Sequence, residues 1–169
     1  DHHEANGGMS RFEKIKFYHE LFLNKTITEE KITKLAKQFS DLVMIKVIAS
    51  PYVPGALEYI QKSYDRYKLF ISSGTPKTEM EQILGGRKIA KYFTDVFGSP
   101  EKKINHIKNI ISKYNLNQNE LLFIGDSPTD YHSAHVTGVK FILRLHDTNY
   151  QFFEDYNGKT IKNFKSLNI

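Results

Sequence analysis

Asp126 and Asp130 stand four residues apart in the run Leu121-Leu122-Phe123-Ile124-Gly125-Asp126-Ser127-Pro128-Thr129-Asp130. Two hard oxygen donors at that spacing, in a chain without cysteine, suit Mg2+ better than zinc. The residues around them allow both to face one crevice. The apolar run 121–124 has the length and composition of a buried strand in a parallel sheet. Gly125 permits a tight exit from it. Ser127-Pro128 reads as a helix start, with serine at the N-cap and proline at the first helical position. Asp126 is therefore expected at the carboxyl end of a strand and Asp130 in the first turn of the next helix. That is the rim on which open α/β sheets hold their ligands.

The rest of the chain must supply that sheet. Its 169 residues are 40% apolar, with 12 Phe and 10 Tyr, enough for the core of one domain plus a small accessory unit. The net charge of +5 is spread out, the longest basic runs being pairs such as Lys102-Lys103. No basic stretch is interleaved with aromatics, so a nucleic-acid module is not expected. Without cysteine there is neither a disulfide framework nor thiolate chemistry, which fits a reducing cytoplasm. No apolar run approaches the roughly 18 residues of a membrane span. Asp1-His2-His3-Glu4 lacks the basic and apolar regions of a signal peptide.

Asn6-Gly7-Gly8 reads as a turn. Ser10 is expected to cap a helix to about Leu23, with Glu13 completing a capping box. Thr28 is expected to cap a second helix, with Glu29 and Glu30 in its first turn and Ile32, Leu35, Phe39, Leu42 and Val43 at helical spacing. From Pro54-Gly55 the pattern changes to alternating helices and strands. Strands are expected over 68–74, over 121–124 and over 139–143, and 93–97 is a short apolar stretch. Helices are expected after Pro54, Pro76, Pro100 and Ser127. The tail offers a short helix near Phe152 and a strand at Thr160 and Ile161. Alternation of this kind predicts an α/β fold with helices on both faces of a parallel sheet.

Three motifs line up in order: Ile71-Ser72-Ser73-Gly74-Thr75, then Lys102-Lys103 after Gly98-Ser99-Pro100, then Gly125-Asp126-Ser127-Pro128-Thr129-Asp130. Together they resemble motifs two, three and four of the haloacid dehalogenase-like (HAD) hydrolase superfamily over residues 54–146. The helical segment before them resembles the C1 cap of the phosphoglycolate phosphatase and β-phosphoglucomutase branch. The resemblance implies a Rossmannoid three-layer core over 51–169 and a partial helical cap over 1–50. It implies a phosphatase acting on a small phosphorylated metabolite through an aspartyl phosphate. Ser73 and Gly74 would bind the phosphoryl group. Lys103, with Lys102 close behind, would offset its charge. Asp126 would bind Mg2+ directly, and Asp130 directly or through water. Gly8-Met9-Ser10-Arg11 resembles the cap loop of that branch, in which Arg11 would reach the substrate. His2, His3, His106, His132 and His135 form no ligand-grade pattern and are read as structural or exposed.

The chain departs from the family in one large respect. The Asp-x-Asp-Gly motif that carries the nucleophile is not found, and Asp1 does not supply it. By the resemblance the first strand is central, between the strands at 69–72 and 121–124. Without it their facing edges are unpaired across about 10 Å, two strand spacings, and unpaired edges invite pairing. The expectation is a fragment, inactive alone, whose sheet is completed by a missing N-terminal segment or by another chain. A sugar phosphomutase of the same branch is an alternative. So is a non-catalytic scaffold with a degenerate fold. A metal-free dehalogenase is disfavoured by the paired carboxylates.

Overall fold

The computed structural model describes residues 9–165 and 167. The expected turn at Asn6-Gly7-Gly8 lies outside the described residues. Helix α1 (Arg11–Phe22) begins at Ser10, whose Oγ accepts from the Phe12 N–H at 3.3 Å. Glu13 closes no capping box with it, unlike the expectation. Helix α2 (Glu29–Ala49) begins at Thr28, whose Oγ1 accepts from the Lys31 N–H at 3.3 Å. Its expected apolar stripe is only partly used. Of that stripe Ile32 is buried and Leu35 and Val43 are half-buried, whereas Phe39 and Leu42 are 51% and 75% exposed. The physical reason is a shortage of neighbours: α2 packs against α1 on one side and touches α4 (Lys77–Gly86) on another.

Helix α3 (Ala56–Ser63) leads into β1 (Phe70–Pro76). After α4, β2 (Asp95–Ser99) runs parallel to β1, pairing Phe70 with Asp95 and Ser72 with Phe97. Asp95 anchors the start of β2. Burial works against its charged form, but hydrogen bonds from Lys113, the Val96 N–H and Tyr114 outweigh burial and lower its pKa. Helix α5 (Lys103–Tyr114) follows the cis Ser99-Pro100 peptide. Strand β3 (Leu122–Gly125), helix α6 (Pro128–Thr137), strand β4 (Lys140–Arg144) and the short strand β5 (Thr160–Ile161) complete the order. The tail also carries the expected short helix, a 3-10 turn at Tyr150–Phe152. The alternation of parallel strands and covering helices is that of a Rossmannoid α/β fold.

The strands form two parallel sheets, β1-β2 and β3-β4-β5. Among the described residues nothing pairs β1 with β3. The ends of both line one cavity of about 690 Å³, with Ser72, Ser73 and Gly74 on one wall and Phe123, Ile124 and Gly125 on the other. Helices join the two sheets instead. Helix α5 rests on β1 and β2, α6 rests on β3 and β4, and α5 and α6 pack on each other. The core between these layers is Ile107 and Ile110 of α5, Ala134 of α6, and Ile142 and Leu143 of β4. No helix among the described residues is long and apolar enough to cross a membrane.

Candidate functional site

Strand β3 delivers Asp126 through Gly125, and the geometry there tolerates little else. A Cβ on Gly125 would lie 2.5 Å from Cβ of Asp130. Ser127 caps α6 with Pro128 in the first turn, and Asp130 completes a capping box with it. Asp130 Oδ2 accepts from the Ser127 Oγ–H at 2.7 Å, the Ser127 N–H at 3.1 Å and the Asp126 N–H at 3.2 Å. Its other oxygen, Oδ1, lies 2.5 Å from Nζ of Lys103. Both oxygens of Asp130 are therefore engaged within the protein. Of the lysine pair, Lys103 is the one directed into the crevice in this way.

Asp126 is held differently. Its side chain is 48% exposed, and among the described residues Oδ2 has only long contacts, 3.4 Å to Arg144 Nη1 and 3.7 Å to His146 Nε2. Its backbone is fixed from below by Asn149, which is buried and donates from Nδ2 to Asp126 O at 2.7 Å and to Arg144 O at 2.9 Å. Arg144, His146 and Asn149 carry no motif, and the sequence reading missed them. The only signal was their clustering just beyond a strand end.

Ser73 and Gly74 line the same cavity as Lys103, Asp126 and Asp130. The Ser73 Oγ accepts from the Thr75 N–H at 3.1 Å, which holds the end of β1 in a bulged turn where its pairing with β2 shifts register. Arg11 also lines the cavity, but its guanidinium is engaged with protein groups. It donates to Glu79 of α4 through Nη1 at 3.0 Å and Nη2 at 2.6 Å. It also bonds Ser40 and lies over the Phe39 ring at 4.9 Å. Arg11 thus ties α1 to α2 and α4. One turn further along α1, Lys14 faces the cavity, and burial lowers its pKa.

Among the described residues no cluster of three or more His, Cys, Asp or Glu could hold a metal. Mg2+ keeps several waters and often takes only one or two carboxylates. The half-exposed Asp126 carboxylate fits such an ion. Asp130, with both oxygens engaged, fits a place behind it.

The family model for haloacid dehalogenase-like hydrolases matches residues 9–144. The chain belongs to that family. Solved structures share its fold. A predicted phosphoglycolate phosphatase from Haemophilus somnus 129pt is 20% identical, with 95% of this chain and 76% of that chain covered and a TM-score of 0.76. The β-phosphoglucomutase from Clostridium difficile is 16% identical over 98% of this chain and 76% of its own, with a TM-score of 0.79. A predicted phosphatase from Clostridium acetobutylicum is 18% identical over 90% and 72%, with a TM-score of 0.72. No curated protein matches the chain. In this HAD-like hydrolase, the three motifs noted in the sequence converge on the cavity between β1 and β3.

Proposed function

We propose that the chain forms the phosphate- and Mg2+-binding part of a phosphatase acting on small phosphate monoesters through an aspartyl phosphate. The observation that carries this is the convergence of Ser73, Gly74, Lys103, Asp126 and Asp130 on one cavity. Ser73 and Gly74 hold the oxygens of the transferring phosphoryl group. The Lys103 ammonium, held by Asp130 at 2.5 Å, offsets its negative charge. Asp126 binds Mg2+, which supplies charge neutralisation at the phosphoryl oxygens. Asp130 sits behind, orienting Lys103 and the Asp126 backbone.

Residues 1–50 then form the cap and 51–169 the core, with the Arg11–Glu79 pair fastening one to the other. A strand from a preceding segment or another chain fills the space between β1 and β3 and brings the Asp-x-Asp-Gly nucleophile. The absence of cysteine supports a cytoplasmic setting. The isolated 169-residue chain is accordingly expected to bind and not to turn over. Calorimetry should detect inorganic phosphate binding that strengthens with Mg2+ and disappears in Lys103→Met. Mg2+-dependent hydrolysis of p-nitrophenyl phosphate by the isolated chain, lost in Asp126→Ala, would overturn its assignment as inactive. Phosphate binding indifferent to both Mg2+ and Lys103 would overturn the site itself.

A further inference from the structure

His106 is fully enclosed, with 0% of its surface exposed. It lies on α5, three residues and about one turn beyond Lys103, so the two share a side of the helix. Its ring makes two polar contacts to other segments. Nε2 lies 3.2 Å from the carbonyl oxygen of Gly98, and Nδ1 lies 2.9 Å from Oγ of Ser72. A carbonyl can only accept, so Nε2 carries the proton. In the neutral ring Nδ1 then accepts the Ser72 hydroxyl proton. Burial, the largest influence on this ring, lowers its pKa and favours that neutral form.

The two partners bracket the bulged end of β1, the phosphate-binding loop of the proposed site. Ser72 immediately precedes Ser73 and Gly74. Gly98 presses on the far side of the same loop, where a Cβ would stand 2.5 Å from Thr75 O and 2.4 Å from Lys77 N. One ring therefore holds the loop at its entry directly and at its exit through Gly98, from the helix that carries Lys103. The Phe97 ring, 5.7 Å away between centroids, packs beside the imidazole and limits its tilt.

We propose that His106 is a positioning residue, which locks the Ser73–Gly74 loop to the helical turn of Lys103 so that both address one phosphoryl group. The inference rests on the phosphatase reading above and adds a residue outside its three motifs. Phosphate recognition by a hydroxyl and a backbone N–H on one segment and an ammonium on another requires the two segments to keep a fixed spacing.

The test is the affinity of the whole 169-residue chain for inorganic phosphate with Mg2+ present, measured by calorimetry beside the melting temperature. His106→Leu should weaken phosphate binding about tenfold or more. Ser72→Ala should weaken it similarly, and the double variant should show no further loss, as expected for two residues acting through one contact. His106→Gln, which can still donate and accept, should recover part of the affinity. A lower melting temperature with unchanged phosphate affinity in both single variants would reduce His106 to core packing and overturn the proposal. If His106→Leu does not fold, the smaller change Ser72→Ala decides between the same two outcomes. If the unaltered chain takes up no phosphate, the function reading fails first. Amide exchange then decides the positioning role: faster exchange at Gly74 and Thr75 in Ser72→Ala supports it, and unchanged exchange overturns it.

Discussion

The ammonium of Lys103 on α5 lies 2.5 Å from Oδ1 of Asp130 on α6, and the two side chains are only 10% and 7% exposed. The pair joins more than two residues. Helix α5 rests on the β1-β2 sheet and α6 on the β3-β4-β5 sheet, and no strand among the described residues connects the two. The contact that aims the lysine into the crevice is thus also a fastening between the halves of the fold.

Removing one partner of this pair should therefore be costly. Asp130→Ala leaves a buried ammonium unpaired and also removes the half of the capping box that bonds the Ser127 N–H, so a loss of about 3 kcal/mol or more is expected. Lys103→Met should cost less, because Asp130 Oδ2 keeps its three donors. The double variant should be more stable than the sum of the single losses predicts. Urea denaturation of the four proteins measures the coupling.

Asp126 should behave in the opposite way. Its half-exposed carboxylate has contacts no closer than 3.4 Å, and such pairs contribute little to stability. Asp126→Asn should change unfolding free energy by about 0.5 kcal/mol or less while removing Mg2+ binding measured by calorimetry. A large stability loss without loss of metal binding would reverse the roles assigned to the two aspartates.

Gly125→Ala should act through Asp130 rather than through the strand. The new methyl would stand 2.5 Å from Asp130 Cβ and 2.6 Å from its carboxyl carbon. Overpacking of this kind costs about 1–3 kcal/mol. Displacing the carboxylate should also release Lys103, so phosphate affinity should fall together with the urea midpoint.

The enclosed His106 predicts a weakening in mild acid. Its pKa is lowered from the ordinary 6.5, first by burial, while the same imidazole in the unfolded chain keeps its ordinary value. Between those two values the unfolded state binds the extra proton, so stability rises with pH there. The contribution is complete above about pH 6.5 and is lost as pH falls toward the lowered folded value. Urea midpoints at pH 7.5 and 5.5 should differ in the unaltered chain, and the difference should shrink in His106→Gln.

The sequence by itself determined the parts whose causes are local. A four-residue apolar run, a glycine exit and a Ser-Pro helix start fix Asp126 and Asp130 through contacts within about one helical turn. The cap and capping-box bonds at Ser127 are of that kind. The order of strands and helices followed from the same short-range patterning, except for β2, whose segment read only as a short apolar stretch. Tertiary structure alone decided what each side chain meets. Lys103 finds Asp130 across 27 residues, His106 finds Ser72 across 34, and Arg11 finds Glu79 across 68. Those pairings depend on how sheets and helices stack, which no local pattern encodes. They are why Arg11 proved to be engaged between helices, why His106 emerged from among unpatterned histidines, and why Asp130 serves a lysine and a helix end as much as any metal.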